Sequence, residues 1–333
     1  MSDQLSLFSA PTPEGPRPAD ALPVGPAALP YELTELALQL PRELYLGTSS
    51  WFFPGWNGIV WDREAPEAAL ARHGLAAYAS HPLLKTVCID RSFYAPLDKA
   101  QYADYAAQVP ERFRFVVKAP SACTAAWTRA DGGKPVGNPT FLDVRLAVDT
   151  FITPSCEGLG EKTGVLLFQF APLGRARLRE PGRFVERLRA FLAALPAGPL
   201  YAVEMRDASI LTRRFMKALN ETGVRYCVSV HPRMPSVAAQ AAAMAGFGPG
   251  PLVVRWNLNA QHAYDAAKAR YSPFDRLVDE DPSTRESIAR LVAAPLAAGH
   301  AAYVIVNNKA EGSAPLSIAK LAGAIAAARR LER

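Results

Sequence analysis

The sequence predicts an α/β fold, a (β/α)8 TIM-type barrel that forms a single domain behind a disordered N-terminal tail. Eight short apolar segments alternate with helical segments along the 333 residues, and parallel strands of this kind need helical crossovers. Turns from predicted helix to strand are short, as at residues 110–112 and at Gly223, whereas long loops follow strands one, three, six and seven. This asymmetry indicates that the carboxyl ends of the strands form the functional face.

The elements follow one another in a regular order after the tail. Predicted strands, recognised as short apolar runs bounded by turn residues, cover residues 44–48, 85–90, 113–118, 165–170, 200–205, 224–230, 252–256 and 301–306. Predicted helices cover residues 31–40, 66–80, 98–109, 142–151, 182–195, 209–222, 236–245, 283–298 and 315–331, with Asp98 as an N-terminal cap. The segments 131–139 and 257–282, the second with Tyr264 and Tyr271, are expected to be loops.

The tail has a different composition from the rest of the chain. Residues 9–30 are rich in Pro, Ala and Gly, which neither hold a helix nor join a sheet, so we expect residues 1–30 to be mobile and residues 31–333 to form the barrel domain. Near its start, Gln4, Leu5, Leu7 and Phe8 lie in a pentapeptide that resembles the motif by which bacterial replication and repair proteins bind the DNA polymerase sliding clamp. A chance match is the alternative interpretation.

Charge and cysteine usage limit the class of protein. The net charge of +6 and the pI near 9.2 permit an anionic partner, nucleic acid included, but Lys and Arg are spread along the chain and also fit solvated helix faces. Cys88, Cys123, Cys156 and Cys227 have no paired spacing, which favours reduced thiols and a cytoplasmic location. No signal peptide or membrane-spanning run is evident, so we expect no membrane partner.

Polar residues collect where the predicted strands end. If polar side chains take the inward parity of each strand, one group of residues faces the lumen and mouth of the barrel: Cys88, Asp90, Lys118, Gln169, Glu204, Arg206, Ser229, His231, Arg255, Asn257 and Asn308. Charged side chains are rarely buried unless they are paired, so this group needs an explanation.

Two explanations remain open for this group. In the functional one, Asp90 or Glu204 acts as acid, base or metal ligand and Lys118 and Arg206 stabilise negative charge. The residues expected to bind the substrate are Trp51, Tyr94, Gln169, His231, Arg255, Asn257 and Asn308. In the structural explanation, the same cations and carboxylates neutralise one another and hold the strands in register.

Cofactors and aromatic residues are less well defined by the sequence. The histidines lack ligand spacing, so a multi-histidine metal site is not expected, but a divalent metal held by carboxylates stays open. No glycine fingerprint for a nucleotide or flavin is present. Among the aromatics after the first two strands, we expect Trp51 and Tyr94 at the mouth, where they can stack on a base or sugar, and Trp61 in the core.

Several motifs resemble the YecE-like family, catalogued as domain of unknown function 72. They lie in order between residues 44 and 330: Gly47-Thr48-Ser49-Ser50-Trp51, Pro54-Gly55-Trp56, Ser92-Phe93-Tyr94, Leu167-Phe168-Gln169, Val203-Glu204-Met205-Arg206 and Asn307-Asn308. The resemblance implies a TIM-barrel fold, which agrees with the strand count, and it implies no established activity.

The chain departs from the family pattern at four places. It has Cys88 and Asp90 where the family usually has Glu and Asn, Asp207 where a His usually follows strand five, and Asn257-Leu258 in place of His-Gly. The Thr-His pair after strand three is also absent, with Ala125 near its place. If those histidines carry the family's chemistry, this member has altered or lost it.

Two functional hypotheses follow. The first is an enzyme of hydrolase or lyase type that acts on a small anionic, nucleotide-containing substrate. The second is a non-catalytic accessory protein of DNA replication or repair that the sliding clamp recruits through the tail, with a barrel that recognises a ligand without converting it. Fold alone does not distinguish them, because unrelated functions share the TIM barrel.

Overall fold

A computed structural model describes residues 24–129, 134–174 and 180–331 of the chain. Eight parallel strands close into a barrel with helices between them, which confirms the predicted (β/α)8 architecture. The clamp-like peptide at residues 4–8 and most of the predicted tail lie outside the described residues. Within the described residues, no helix is long and apolar enough to cross a membrane.

Ten strands are labelled in chain order among the described residues, and eight of them form the barrel. The barrel strands are β1 (Leu44–Thr48), β2 (Thr86–Ile89), β3 (Arg114–Lys118), β6 (Thr163–Gln169), β7 (Tyr201–Glu204), β8 (Arg225–Val230), β9 (Leu252–Trp256) and β10 (Ala302–Val306). β1 pairs with β10 and so closes the ring. The other two strands, β4 (Trp127–Arg129) and β5 (Pro135–Gly137), form an antiparallel pair in the loop after β3.

The helices lie between the strands in the order expected. Their bounds are Tyr31–Leu38, Glu67–His73, Leu75–Ala79, Lys99–Ala107, Ser121–Thr124, Val144–Ala147, Thr153–Leu159, Pro181–Ala193, Arg213–Glu221, Val237–Ala243, Tyr264–Tyr271, Pro282–Ala297 and Ala314–Leu331. Asp98 caps the helix Lys99–Ala107 as predicted, because its carboxylate accepts from the backbone N–H of Gln101 while Gln101 accepts from the backbone N–H of Asp98.

Three local predictions were wrong. The helix predicted over residues 142–151 continues through a π-helical turn, Val148–Ile152, into Thr153–Leu159. The segment 131–139, expected to be a loop, contains β5, and the long loop after β9 contains the helix Tyr264–Tyr271. Neither element has the periodic apolar pattern on which a prediction from one sequence depends.

Residues before Tyr31 contact the rest of the fold. Gly25 donates from its backbone N–H to the Asp62 side chain, and its carbonyl accepts from the backbone N–H of Asp62. Ala27 donates to the carbonyl of Val60, and Val24 is buried. These bonds hold residues 24–27 against the loop after β1, so this part of the chain is attached although its composition predicts mobility.

One apolar layer lies inside the ring of strands and a second lies outside it. Inside the barrel, a compact cluster fills the lower lumen with Cys88, Val116, Val165, Leu167, Ala202, Cys227, Val253, Tyr303 and Ile305. Outside it, alternate residues of the same strands pack against the helices in a much larger core. The lumen is therefore closed below by side chains, and polar residues one step further along each strand form the floor of a mouth at the carboxyl ends.

Candidate functional site

The polar residues at the strand ends form one layer above the lumen cluster. Gln169 of β6 is in register with Glu204 of β7, and Ser229 of β8 is in register with Arg255 of β9. Lys118 lies at the end of β3. Each side chain follows a lumen-facing apolar residue by two positions, which is the strand period that the sequence analysis assumed. The predicted inward parity of these five residues is confirmed.

Arg255 lies at the centre of this layer. Its Nη1 donates to Gln169 Oε1 at 3.0 Å and to Glu204 Oε2 at 2.7 Å. Its Nη2 lies 3.3 Å from Asp90 Oδ1 and 3.4 Å from Asp90 Oδ2. Arg255 therefore connects β9 to β6, to β7 and to the end of β2. The longer contacts show that it binds Asp90 less tightly than Glu204.

Glu204 is surrounded by donors. Its Oε1 accepts from Ser229 Oγ at 2.9 Å and Asn257 Nδ2 at 3.0 Å, and Arg206 Nη2 lies 2.7 Å away. Burial alone would raise the pKa of Glu204, but Arg206 and Arg255 outweigh it and lower the pKa to about 2. Glu204 is thus held as a carboxylate with both oxygens bonded, an arrangement that suits orienting two arginines better than transferring a proton.

Asp90 differs from Glu204 in exposure and in partners. Its side chain is 28% exposed, whereas that of Glu204 is fully buried. The thiol of Cys88 donates to Asp90 Oδ1 at 3.2 Å, and burial, followed by the charge of Asp90, raises the pKa of that thiol well above its ordinary value. Asp90 is the carboxylate of this layer that a ligand in the mouth can reach.

Lys118 is a buried cation beside these carboxylates. Its residue is 7% exposed, and its Nζ lies 3.9 Å from the centroid of the Phe93 ring. Burial lowers the pKa of Lys118, with Asp90 opposing the effect and Arg255 adding to it. Among the described residues, no carboxylate forms an ion pair with its Nζ. The ammonium therefore depends on a ring face and on more distant charges for its stabilisation.

Arg206, His231 and Asn257 lie beside Glu204 in this layer. The Arg206 side chain is 12% exposed. Burial, followed by the charge of Arg206, lowers the pKa of His231 to about 4, so the imidazole is neutral near pH 7. His231 Nδ1 accepts from the backbone N–H of Arg233, which assigns the proton of the neutral ring to Nε2.

The aromatic predictions have different outcomes. Trp61 is fully buried, as expected. Trp51 is 3% exposed and packs edge-on against Phe52 and Tyr105, so the expectation of an exposed ring at the mouth is wrong for this residue. Tyr94 is half-buried, and its pKa rises to about 12 through burial and then through the charges of Asp90 and Tyr264, which places it near the acidic side of the mouth.

Asn308 is not part of the polar layer. Its Oδ1 accepts from Trp56 Nε1 at 3.2 Å and from the backbone N–H of Ala314 at 2.8 Å. Strand parity does not apply to it, because β10 ends at Val306 and the chain continues as the 3-10 turn Asn308–Ala310. Through Oδ1, Asn308 therefore joins the aromatic loop after β1 to the last helix.

Lys309 and Tyr264 were not predicted as residues of the mouth. Lys309 is 7% exposed, and its Nζ lies 4.3 Å from the centroid of the Tyr264 ring. The charge of Asp90 acts on both residues, which places them beside the mouth. The only sequence signal for Lys309 was its position directly after Asn308, close to the end of the last strand. The buried position of the lysine follows from the 3-10 turn, which the alternating pattern of a strand does not predict.

The described residues contain no group of three or more His, Cys, Asp and Glu side chains arranged to hold a metal ion. Asp90 and Glu204 face Arg255 from two sides, so each carboxylate already has a cationic partner. The arrangement supplies a carboxylate, several cations and a neutral imidazole. Together they suit binding negative charge and moving a proton beside it.

Comparison with solved structures agrees with the fold. A DUF72 family protein from Enterococcus faecalis V583 is 18% identical, with 85% of this chain and 95% of that chain covered and a TM-score of 0.54. Another DUF72 family protein, from Thermotoga maritima MSB8, is 19% identical over 87% of this chain and 99% of that chain, also with a TM-score of 0.54. At these identities the likeness establishes the fold alone.

A comparison with curated proteins found no match. The family model described as "Protein of unknown function DUF72" matches residues 45–332, which include the eight barrel strands except Leu44 and every residue of the polar layer. The family resemblance drawn from the motifs is thereby confirmed, and the chain belongs to the DUF72 family.

Proposed function

We propose that this DUF72 protein is an enzyme of hydrolase or lyase type that binds a small anionic substrate in the mouth of the barrel. The observation that carries the proposal is the charge of the mouth. Four cationic groups, Arg206, Arg255, Lys118 and Lys309, lie around two carboxylates, Asp90 and Glu204. Such a surplus among buried and partly buried groups favours a ligand that brings negative charge.

The two carboxylates have different roles in this proposal. Glu204 positions Arg206 and Arg255, since its oxygens accept from both arginines and from two neutral donors. Asp90 acts as the acid or base, because its side chain is partly exposed and its contacts to Arg255 are long. Lys118 and Arg206 stabilise negative charge on the substrate.

A nucleotide-containing substrate is the finer form of the proposal. Tyr94 is half-buried and Tyr264 is 41% exposed, so each offers ring surface on which a base or sugar can stack. Gln169 and Asn257 supply amide groups at the floor of the same mouth. Direct binding of a longer nucleic acid would require a basic surface beyond the mouth.

The test is turnover of a panel of phosphate mono- and diesters, nucleotides and sugar acids by the purified protein. Asp90→Asn should lose most of the turnover, because general acid–base catalysis contributes about 10²–10⁴-fold. Asp104→Asn, on the exposed face of the helix Lys99–Ala107, is the matched control and should behave as wild type. Equal turnover in the two variants would remove Asp90 from the proposal.

A second candidate function rests on the clamp-like peptide at residues 4–8. In that proposal the protein is a non-catalytic accessory factor of DNA replication or repair, recruited by the sliding clamp. A short peptide with two large apolar side chains suits such recruitment. Pull-down of the clamp by the full chain should disappear with Leu7→Ala and Phe8→Ala together and persist with Ser2→Ala. Clamp capture that is absent, or unaffected by the double variant, contradicts it.

A further inference from the structure

Lys309 occupies an unusual position for a lysine. It lies in the 3-10 turn Asn308–Ala310 directly after the last barrel strand, and only 7% of it is exposed. Its Nζ lies 4.3 Å from the centroid of the Tyr264 ring and 5.8 Å from that of Phe274. Lysines are almost never buried in this way unless an acidic group pairs with them.

Such an acidic partner is lacking at close range. Among the residues that the structure describes, no carboxylate forms an ion pair with Lys309 Nζ. Burial lowers the pKa of Lys309 to about 8, and the charge of Lys268 adds to this effect while Asp90 and Asp265 oppose it. At pH 8 about half of these side chains are then neutral amines, whereas an ordinary lysine is almost fully protonated.

The neighbours of Lys309 suit chemistry at an amine. The Tyr264 ring lies 4.3 Å from the amine, and the charge of Asp90 acts on Lys309, Tyr264 and Tyr94. A neutral lysine in a desolvated pocket beside other cations is an activated nucleophile towards carbonyl carbon. The alternative explanation is that the ammonium only packs against the rings as a cation–π contact.

We propose that Lys309 forms a covalent imine with an anionic aldehyde or ketone bound in the mouth. This inference rests on the proposed function and names its substrate class, a carbonyl compound that carries a carboxylate or phosphate. The surplus of cations binds the charged group, and the carbonyl carbon lies against the Lys309 amine. The two-carbon and three-carbon 2-oxo acids, glyoxylate and pyruvate, are the smallest compounds that carry both a carbonyl group and a carboxylate.

The reaction is a condensation without an oxidant or reductant. The Nζ lone pair attacks the carbonyl carbon, the C–N bond forms and the π electrons move to oxygen. Two protons move in total from the nitrogen to that oxygen, and Asp90 transfers them. The C–O bond then breaks and water leaves. The product is the imine, which holds the substrate carbon covalently and withdraws electrons from it.

The test traps the imine on the full-length protein. Wild type is incubated with glyoxylate or pyruvate and sodium cyanoborohydride at pH 7, and the reduced adduct is located by intact mass and peptide mapping. We expect one saturable adduct at Lys309 that is lost in Lys309→Arg and retained in Lys217→Arg, since the Lys217 side chain is 76% exposed. Adducts spread over exposed lysines, or located at Lys118, would overturn the assignment.

A second measurement avoids dependence on the chosen substrate. Formaldehyde with cyanoborohydride methylates neutral amines, so the rate at Lys309 should rise with a midpoint near pH 8, below the ordinary lysine value of about 10.4. A midpoint equal to that of exposed lysines would overturn the inference.

Binding of glyoxylate or pyruvate is measured in parallel by calorimetry. Binding without trapping contradicts the imine alone, whereas the absence of binding by all anions tested contradicts the proposed function itself.

Discussion

Arg255 Nη1 lies 2.7 Å from Glu204 Oε2, and only 3% and 0% of the two side chains are exposed. Arg255 is on β9 and Glu204 is on β7, so this ion pair crosses the lumen past β8 and links strands that are not adjacent in the sheet. The same guanidinium also reaches Asp90 after β2. The pair therefore links the charged ends of β7 and β9 to Asp90 after β2.

Removing one member of this pair should be costly. We expect Arg255→Met to lower the free energy of unfolding by about 3–5 kcal/mol, because the buried Glu204 carboxylate loses one of its two guanidinium partners and Asp90 loses its contact to Arg255. Urea denaturation, followed by circular dichroism, measures this free energy of unfolding. Lys217→Met, which removes an exposed contact to Glu221, is the control and should change stability by less than about 1 kcal/mol. A similar small effect of Arg255→Met would show that the pair is dispensable for stability.

Glu204 should make stability depend on acid pH. The pKa of Glu204 in the folded protein is about 2, below the ordinary value of 4.5. Because the folded pKa is lowered, the ionised carboxylate contributes stability that is present above pH 4.5 and is lost as the pH falls towards 2. The stability difference between wild type and Glu204→Gln should therefore narrow over that window. Urea unfolding at several pH values measures it, and a constant difference would contradict the assignment.

Asn308 should matter for the aromatic loop. Asn308→Ala removes the acceptor of Trp56 Nε1 and of the Ala314 backbone N–H, and each unsatisfied buried donor costs about 1–3 kcal/mol. We expect a lower melting temperature and faster hydrogen exchange at the Trp56 indole. Asn57→Ala, at an exposed position of the same loop, should stay within about 0.5 kcal/mol of wild type. Unchanged indole exchange would contradict this account of Asn308.

Gly47 should not tolerate a side chain. A Cβ at this position would lie 1.8 Å from the carbonyl oxygen of Thr86 on the neighbouring strand, so β1 and β2 would have to separate. We expect Gly47→Ala to destabilise the protein by about 1–3 kcal/mol or more. Gly246→Ala is the matched control, since its Cβ would meet no atom within 4 Å. Equal thermal stability of the two variants would mean that the strands are less closely packed than the structure indicates.

The barrel was predictable because it depends on periodic patterns. β9, Leu252–Trp256, has its predicted bounds, and the inward parity of Lys118, Glu204 and Arg255 follows from the two-residue period of a strand. The pairing of Glu204 with Arg255, 51 positions apart, was not predictable, since three other charged residues at the mouth, Asp90, Lys118 and Arg206, offered alternative partners.

The errors occur where the chain leaves regular structure. Asn308 and Lys309 lie in a turn after β10, where parity no longer determines direction. Trp51 follows β1 by three residues, and its burial depends on Tyr105 from a helix far along the sequence. In both cases the deciding contact is tertiary, and no local pattern encodes it.

Binding of anions in the mouth tests the central claim most directly. Isothermal titration of the wild-type protein with phosphate, nucleoside monophosphates and 2-oxo acids should reveal saturable binding of at least one of them, weaker at high salt. Arg206→Gln should weaken that binding, and Arg290→Gln, at an exposed helix position, should leave it unchanged. If none of these anions binds, or if both variants bind equally well, the mouth is a closed structural network and not a site for an anionic ligand.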